Sequence, residues 1–503
     1  MFKSVSGVLT AAIAVAALPA VSAHAQQATI PARYTQQHLN WQACDDAPTL
    51  ECAAMTVPRD WHHPEAGHDL TIAVSRHQAS DPAKRRGVLM MAAGGPGGMG
   101  RKRPANFVKQ SPAVGAAYDV VSFDQRGVGR SSKATCQTDA EMTDFLAHDY
   151  RDRSAAAIRR VLDNSRKLAA DCAKRSDGLL PYITTEQTVR DMDLFRSLLG
   201  ERKISYYGPS YATMIGAYYA TLFPQRVERA VLDSNIAFNG SWQDFETGQP
   251  KSFQRRFEQD FLPWLAKYDG IYHYGKTAAQ AKANWERQRA ALSKKPLTDG
   301  SVTIGANQFD NATINAVYEA QNFPMLASSL SAFGHWKSAT PKEKGTAEAL
   351  AANYGTGFLA EYFSVTCADT SWNRSTDYWI KRSAKDNAQL PLAGARELSF
   401  SAVCANWPTA TAPKVKVTGA GLPATLMLNS VHDPATYYEG AARAHRALHN
   451  SRLVTVTGDG DHGQYQNGNS CVDHVVEDYL LNGKAPAHDI TCKGKPLPVP
   501  TAG

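Results

Sequence analysis

The chain predicts an α/β fold: a mostly parallel sheet flanked by helices on both faces, with a mainly helical cap inserted into it. Three observations carry this expectation. Between residues 86 and 236, short apolar runs alternate with helical stretches; from about 237 to 400 helix-like segments take over; beyond 400, strand signals return. Strands that alternate with helices imply a mostly parallel sheet, because each crossover brings the chain back to the same end. A chain of 503 residues without internal repeats or low-complexity linkers suits one large domain with an insertion. The expected divisions are a leader over 1–25, an N-terminal core part over 26–236, a helical cap over 237–400 and a C-terminal core part over 401–503.

The leader has the marks of an export signal. Lys3 supplies a positive start, Val8 to Val21 is almost entirely apolar, and Ala23-His24-Ala25 offers a small-residue cleavage site before Gln26. The apolar run is shorter than the roughly 20 residues that span a bilayer. No cysteine follows the cleavage point and no later segment has transmembrane character, so the mature chain is expected to be exported, periplasmic or secreted, without a membrane anchor. All eight cysteines (Cys44, Cys52, Cys136, Cys172, Cys367, Cys404, Cys471 and Cys492) lie beyond the leader. An even number in an exported chain points to disulfides, and no C-x-x-C pair suggests a metal site. Eight cysteines allow on the order of a hundred pairings. Sequential pairing is the expectation, since it closes only local loops.

A formal charge of +7 is a modest excess for this length. Basic residues are scattered apart from Lys84-Arg85-Arg86 and Arg101-Lys102-Arg103, which are taken as solvated surface, and nucleic-acid binding is not suggested. The sequence specifies no oligomeric state.

The elements follow in order. Arg86–Ala93 and Tyr118–Phe123 are buried-strand candidates. Thr184 and Gln187 form a capping-box pair for a helix carrying Met192, Phe195, Leu198 and Leu199 and closed by Gly200. Lys203–Tyr207 is a short β-prone run, Met214–Ala220 a helix, and Glu228–Asp233 another strand. In the cap, Phe253, Phe257, Phe261, Trp264, Leu265 and Tyr268 recur at helical spacing, which signals packing rather than a ligand box. Ala424–Asn429 and Arg452–Thr457 are the returning strands.

Chemistry concentrates at Gly208-Pro209-Ser210-Tyr211-Ala212, between the 203–207 strand and the 214–220 helix. A serine on so sharp a strand-to-helix turn projects its hydroxyl outward, and the following N–H groups face any negative charge that develops there. An ordinary turn with a buried serine would give the same pentapeptide. Ala212 stands where the G-x-S-x-G pattern has glycine. A serine nucleophile needs a base, and the base needs an orienting carboxylate. Both follow in order, each in a loop after a late strand: Asp433, then His462. Asp459 and Asp461 compete as orienter and His432 as base. Gly94-Gly95-Pro96-Gly97-Gly98, after a buried strand, lets backbone N–H groups approach a substrate, so the Gly95 and Tyr211 amides are assigned to an oxyanion hole. A phosphate loop is the competing reading, but its lysine and following Ser/Thr are missing. Asp124-Gln125-Arg126-Gly127 suits a scaffolding turn.

With these residues in place, the chain resembles the secreted α/β-hydrolase peptidases of the tripeptidyl aminopeptidase type, relatives of the prolyl aminopeptidases. The resemblance spans nearly the whole mature chain. It rests on Trp41 and Cys44, Cys52 through Val57-Pro58, the G-G-P-G loop at 94–97 and D-Q-R-G-x-G-x-S at 124–131. The 206–212 elbow, Thr366-Cys367-Ala368-Asp369, Cys404-Ala405-Asn406-Trp407-Pro408 and the Asp433 and His462 endings extend it. Ala212 and Ala93 depart from the family pattern. The resemblance implies an α/β-hydrolase fold and a serine exopeptidase that cuts short peptides from a free N-terminus without cofactor or metal. It further implies a carboxylate for the substrate ammonium, with Glu319, Glu361 and Asp369 as candidates. An esterase or amidase for small acyl substrates would use the same machinery.

Overall fold

The computed structural model describes residues 30–299, 302–352 and 355–500; the expected leader lies outside them. Seven strands precede the insertion: β1 (Gln42–Cys44), β2 (Ala47–Pro58), β3 (Asp69–His77), β4 (Val88–Met91), β5 (Asp119–Phe123), β6 (Ile204–Pro209) and β7 (Val227–Asp233). A small antiparallel hairpin, β8 (Leu297–Asp299) and β9 (Val302–Ile304), lies within it. Three strands follow: β10 (Thr425–Ser430), β11 (Ser451–Thr457) and β12 (Ile490–Lys493). Apart from the hairpin, all join one ten-stranded sheet in the order β1-β2-β3-β5-β4-β6-β7-β10-β11-β12. From β5 through β12 every pairing is parallel, whereas β1, β2 and β3 pair antiparallel at one edge. The fold is thus an α/β-hydrolase sheet with helices on both faces.

Successive side chains in the central strands point to opposite faces, and both faces are buried. Met90, Val121, Tyr206, Leu232 and Met427 pack on one side, while Leu89, Val120, Tyr207, Val231 and Leu426 pack on the other. This double burial is why these strands look like continuous apolar runs in sequence. The antiparallel edge is different: exposed, half-buried and buried positions mix along β2 without strict alternation, so the sequence signal there is weak.

The chain leaves the sheet after Asp233 and returns at Thr425, onto adjacent strands, with Leu232 opposite Met427. Residue 400, the expected end of the cap, falls inside the helix Glu397–Ala405. The aromatic stripe is interior packing: Phe253, Phe257, Phe261, Trp264 and Leu265 form a separate core with Trp285 and Phe323, and Tyr268 packs at its margin.

Local signals resolve in detail. Thr184 caps the helix Thr185–Leu198 through Gln187 N–H, and Gly200 follows the helix at φ +74°. The reciprocal half of the capping box is absent, because Gln187 Oε1 accepts from Trp61 N at 2.9 Å instead. The cysteines pair sequentially as Cys44–Cys52, Cys136–Cys172, Cys367–Cys404 and Cys471–Cys492. Each closed loop removes freedom from the unfolded chain, typically ~2–4 kcal/mol of stabilisation.

The Asp124-Gln125-Arg126-Gly127 turn is a scaffold. Asp124 accepts from the backbone of Gly100, Arg101 and Arg130, and Gln125 donates to Ala93 O. Arg126 is fully buried, ion-paired with buried Asp191 at 2.6 Å, and donates to Arg59 O and Tyr182 O. Removing one partner of such a pair strands the other charge in the interior. Arg126→Ala is therefore expected to destabilise the protein by about 3–5 kcal/mol, read as a shifted midpoint in denaturant unfolding.

The basic triplet corrects an expectation. Only Lys102 of Arg101-Lys102-Arg103 is exposed; Arg101 is buried and bridges to Asp46, and Arg103 is half-buried. The glycine loop before the triplet turns it inward, toward the C-terminal ends of the strands.

Candidate active site

The strand-to-helix turn forms as the sequence suggests. β6 ends at Pro209, and Ser210 adopts φ +61°, a left-handed conformation costly for a residue with a Cβ. Its backbone is held from both sides: Ser210 N donates to Asp233 O at 2.8 Å, and Ser210 O accepts from Thr213 N and Thr213 Oγ1. The helix Ala212–Leu222 starts at once. Ala212 fits fully buried, and the close helix-to-strand approach falls one turn later, at Gly216. A methyl there would meet Tyr206 at 2.4 Å and Leu232 at 2.7 Å.

The glycine loop after β4 rises beside the serine. A Cβ on Gly94 would lie 2.9 Å from Ser210 Cβ, so only glycine allows this approach. The N–H groups of Gly95 and Tyr211 find no acceptor among the described residues. Two idle donors beside one hydroxyl, one of them at a helix N-terminus, can bind an oxyanion.

His462 comes to the same place from the loop after β11, and Asp433 from the loop after β10. His462 Nδ1 lies 3.0 Å from both oxygens of the buried Asp433. Asp433 is itself held by Ala435 N, Thr436 N and Thr436 Oγ1. Tyr318 holds the residue too: its carbonyl accepts from the His462 backbone N–H at 2.8 Å, and its ring meets the imidazole edge-on. Burial pulls the imidazole pKa down, but the Asp433 charge and hydrogen bond outweigh it, and Asp233 and Glu319 add to the rise. The net shift is upward. Ser210 and His462 line one cavity, and Ser210 Oγ makes no hydrogen bond among the described residues. Such contacts commonly close only around bound substrate.

The rivals are engaged elsewhere. His432 Nδ1 pairs with Asp260 at 3.0 Å. Asp461 holds Arg256 at 2.6 Å, and Asp459 accepts from Asp461 N.

The cavity has a volume of about 420 Å³ and lies between the sheet and the insertion. Phe245, Tyr318, Phe358, Tyr362 and Phe400 make its walls largely aromatic. Of the three carboxylates expected to meet substrate, Glu319 alone lines it. Asp369 is buried, its oxygens occupied by Thr185 N and Thr185 Oγ1, and burial raises its pKa to about 6. Glu361 is fully buried against the Cα side of Gly127, with neither oxygen hydrogen-bonded, and burial pushes its pKa well up. Both are core residues: the helix Thr356–Ala368 gives Phe358 and Tyr362 to the cavity, while Glu361 and the C-cap Asp369 are buried.

Two side chains escaped the sequence reading. Asp233 closes β7, and while its carbonyl holds Ser210 N, its carboxylate accepts from Gln464 N and Tyr465 N in the histidine loop. One buried residue thereby fixes both loops; a polar residue ending an apolar strand was its only sequence signal. Glu246, buried behind the aromatic wall, accepts from Tyr362 Oη.

The chain is similar to known proteins over most of its length. A family model described as "TAP-like protein" matches residues 390–492. The tripeptidyl aminopeptidase of Streptomyces lividans is 33% identical over 486 residues, covering 93% of this chain and 89% of the relative. The serine protease Hip1 of Mycobacterium tuberculosis is 27% identical, over 88% of this chain and 87% of that protein. Carboxylesterase B of the same organism is 29% identical, over 90% and 89%.

Proposed function

Since the chain belongs to the tripeptidyl aminopeptidase family of α/β-hydrolases, we propose that its serine exopeptidase chemistry runs through an acyl-enzyme on Ser210. The observation that carries this reading is that Ser210, Gly95 and the Asp433-held His462 meet at one cavity, with the idle Tyr211 N–H directly after the serine. His462, in its neutral form, takes the proton from Ser210 Oγ as the hydroxyl attacks the scissile carbonyl. The tetrahedral oxyanion is held by Gly95 N–H and Tyr211 N–H. The imidazolium, stabilised by Asp433, gives its proton to the departing amine. Water enters, loses a proton to His462 and releases the acyl group.

Peptides are the substrate class, and the insertion explains the restriction to short pieces cut from an end. It lines the cavity with Phe245, Tyr318, Phe358, Tyr362 and Phe400, and a space of about 420 Å³ suits an acyl chain of a few residues. Three extended residues span about 10 Å. Aromatic walls favour apolar side chains along that length. Glu319 is the carboxylate available to the substrate ammonium. The four disulfides suit an oxidising compartment, as export would require. Among the described residues no helix is long and apolar enough to cross a membrane.

Mass spectrometry of products from one peptide, free and N-acetylated, tests the proposal. The free peptide is expected to release a short N-terminal fragment, and the acetylated one to be cut at least ~10-fold more slowly, as loss of a charge-assisted contact requires. Equal cleavage of both would remove the amine-reading exopeptidase. The carboxylesterase relative makes short acyl esters the natural control, and turnover of esters alone would overturn the peptidase reading.

A further inference from the structure

A second cavity of about 770 Å³ adjoins the first, and the two share Arg103, Pro209, Glu319, His462 and Gly463. Ser210, Gly94 and Gly95 line only the first. The serine and the Gly95 donor therefore mark the first cavity as the acyl side. The second is lined by His462, the group that hands a proton to a leaving amine, but not by the serine.

The charge on this second wall is unusual. Lys102 is paired with Asp46 at 2.9 Å, Lys495 with Asp461 at 3.3 Å, and Glu319 accepts from Gln321. The Arg103 guanidinium has no ion pair and no hydrogen bond among the described residues, and its Nε is buried without a partner. Burial pulls its pKa down, in keeping with a desolvated cation that lacks an anion. A half-buried guanidinium whose buried Nε has no partner leaves donors that an anion in the cavity can complete. It is also rigidly placed, since the helix Arg103–Gln110 follows directly on the glycine loop that carries Gly95.

Resting on the exopeptidase reading, we infer that the second cavity holds the leaving part of the substrate and that Arg103 recognises a carboxylate on it. A fork of N–H donors suits a carboxylate better than any neutral group. Two sources share this chemistry: the C-terminal carboxylate of a short peptide, which sits on the leaving residue itself, and an acidic side chain there. Arg103 in this role is a specificity residue. It stabilises the bound leaving group and takes no part in proton transfer.

The test uses Ala-Ala-Ala-Gly as free acid, the same peptide as C-terminal amide, and Ala-Ala-Ala-Asp amide with its side-chain carboxylate. The wild type is expected to prefer the acid over the glycine amide in kcat/KM by about tenfold or more. Arg103→Gln collapses that ratio to near one, and Arg103→Lys keeps part of it. If the aspartyl amide recovers the preference, a side-chain carboxylate serves; if it does not, the site reads the chain end. A wild-type ratio near one, or a ratio unchanged in Arg103→Gln, overturns the inference. Calorimetric binding of the same peptides to Ser210→Ala supplies an independent arm: the acid binds more tightly, and the difference vanishes when Arg103→Gln is added. Failure to cleave a tripeptidyl nitroanilide would instead remove the exopeptidase reading, while the binding arm still decides the role of Arg103.

Discussion

Ser210→Ala is expected to lower kcat for a tripeptidyl nitroanilide by about 10⁵-fold or more while leaving stability within roughly 0.5 kcal/mol of wild type. The two halves of that expectation have separate causes. The hydroxyl is the only atom removed, and it makes no hydrogen bond among the described residues, so the fold loses no contact. Alanine meets the same φ of +61° with the same Cβ, so the strain at the turn is unchanged. What disappears is the covalent route. The Gly95 and Tyr211 amides still favour a tetrahedral oxyanion, so a residual rate above the uncatalysed one persists. Steady-state kinetics beside a denaturation curve checks both halves, and an intact rate would exclude Ser210 as nucleophile.

Asp433→Asn follows with a loss of about 10⁴-fold in kcat. The amide leaves the imidazole without its charge partner and can donate to Nδ1, which favours the wrong tautomer. The pH dependence has a definite sign. Asp433 raises the His462 pKa, so in the wild type activity is lost as pH falls through a value shifted upward from that of an ordinary histidine. With the carboxylate gone, burial is opposed only by Asp233 and Glu319, and the acid limb moves to lower pH. A pH profile of kcat/KM for both proteins separates this from a merely structural loss, which would lower the plateau without moving the limb. A limb that stays in place would rule Asp433 out as the partner of the base.

Much of this was legible in the sequence, and the boundary has a physical cause. The central strands advertise themselves because burial on both faces leaves uninterrupted apolar runs, as in Val88–Met91 and Leu426–Leu428. The serine turn and the later Asp433 and His462 are legible because their chain order follows from strand order. The edge strands β1 to β3 are not, since a half-exposed edge imposes no clean alternation. Carboxylates in the insertion are harder still. Glu319, Glu361 and Asp369 look alike in sequence, and only the packing of their helices decides that one lines the cavity while two are sealed away. Arg103 was masked by its company. A run of three cations suggests surface, yet each of the three meets a different environment once the glycine loop turns the chain inward.

The long excursion between β7 and β10 also orders events in time. Ser210 is translated well before the insertion, Asp433 and His462 after it. A polypeptide cut short anywhere upstream of His462 carries the nucleophile without its base and stays inert. On the proposed roles, hydrolytic power comes only with the last stretch of the molecule to be made, and a truncated or still-emerging product is expected to lack it.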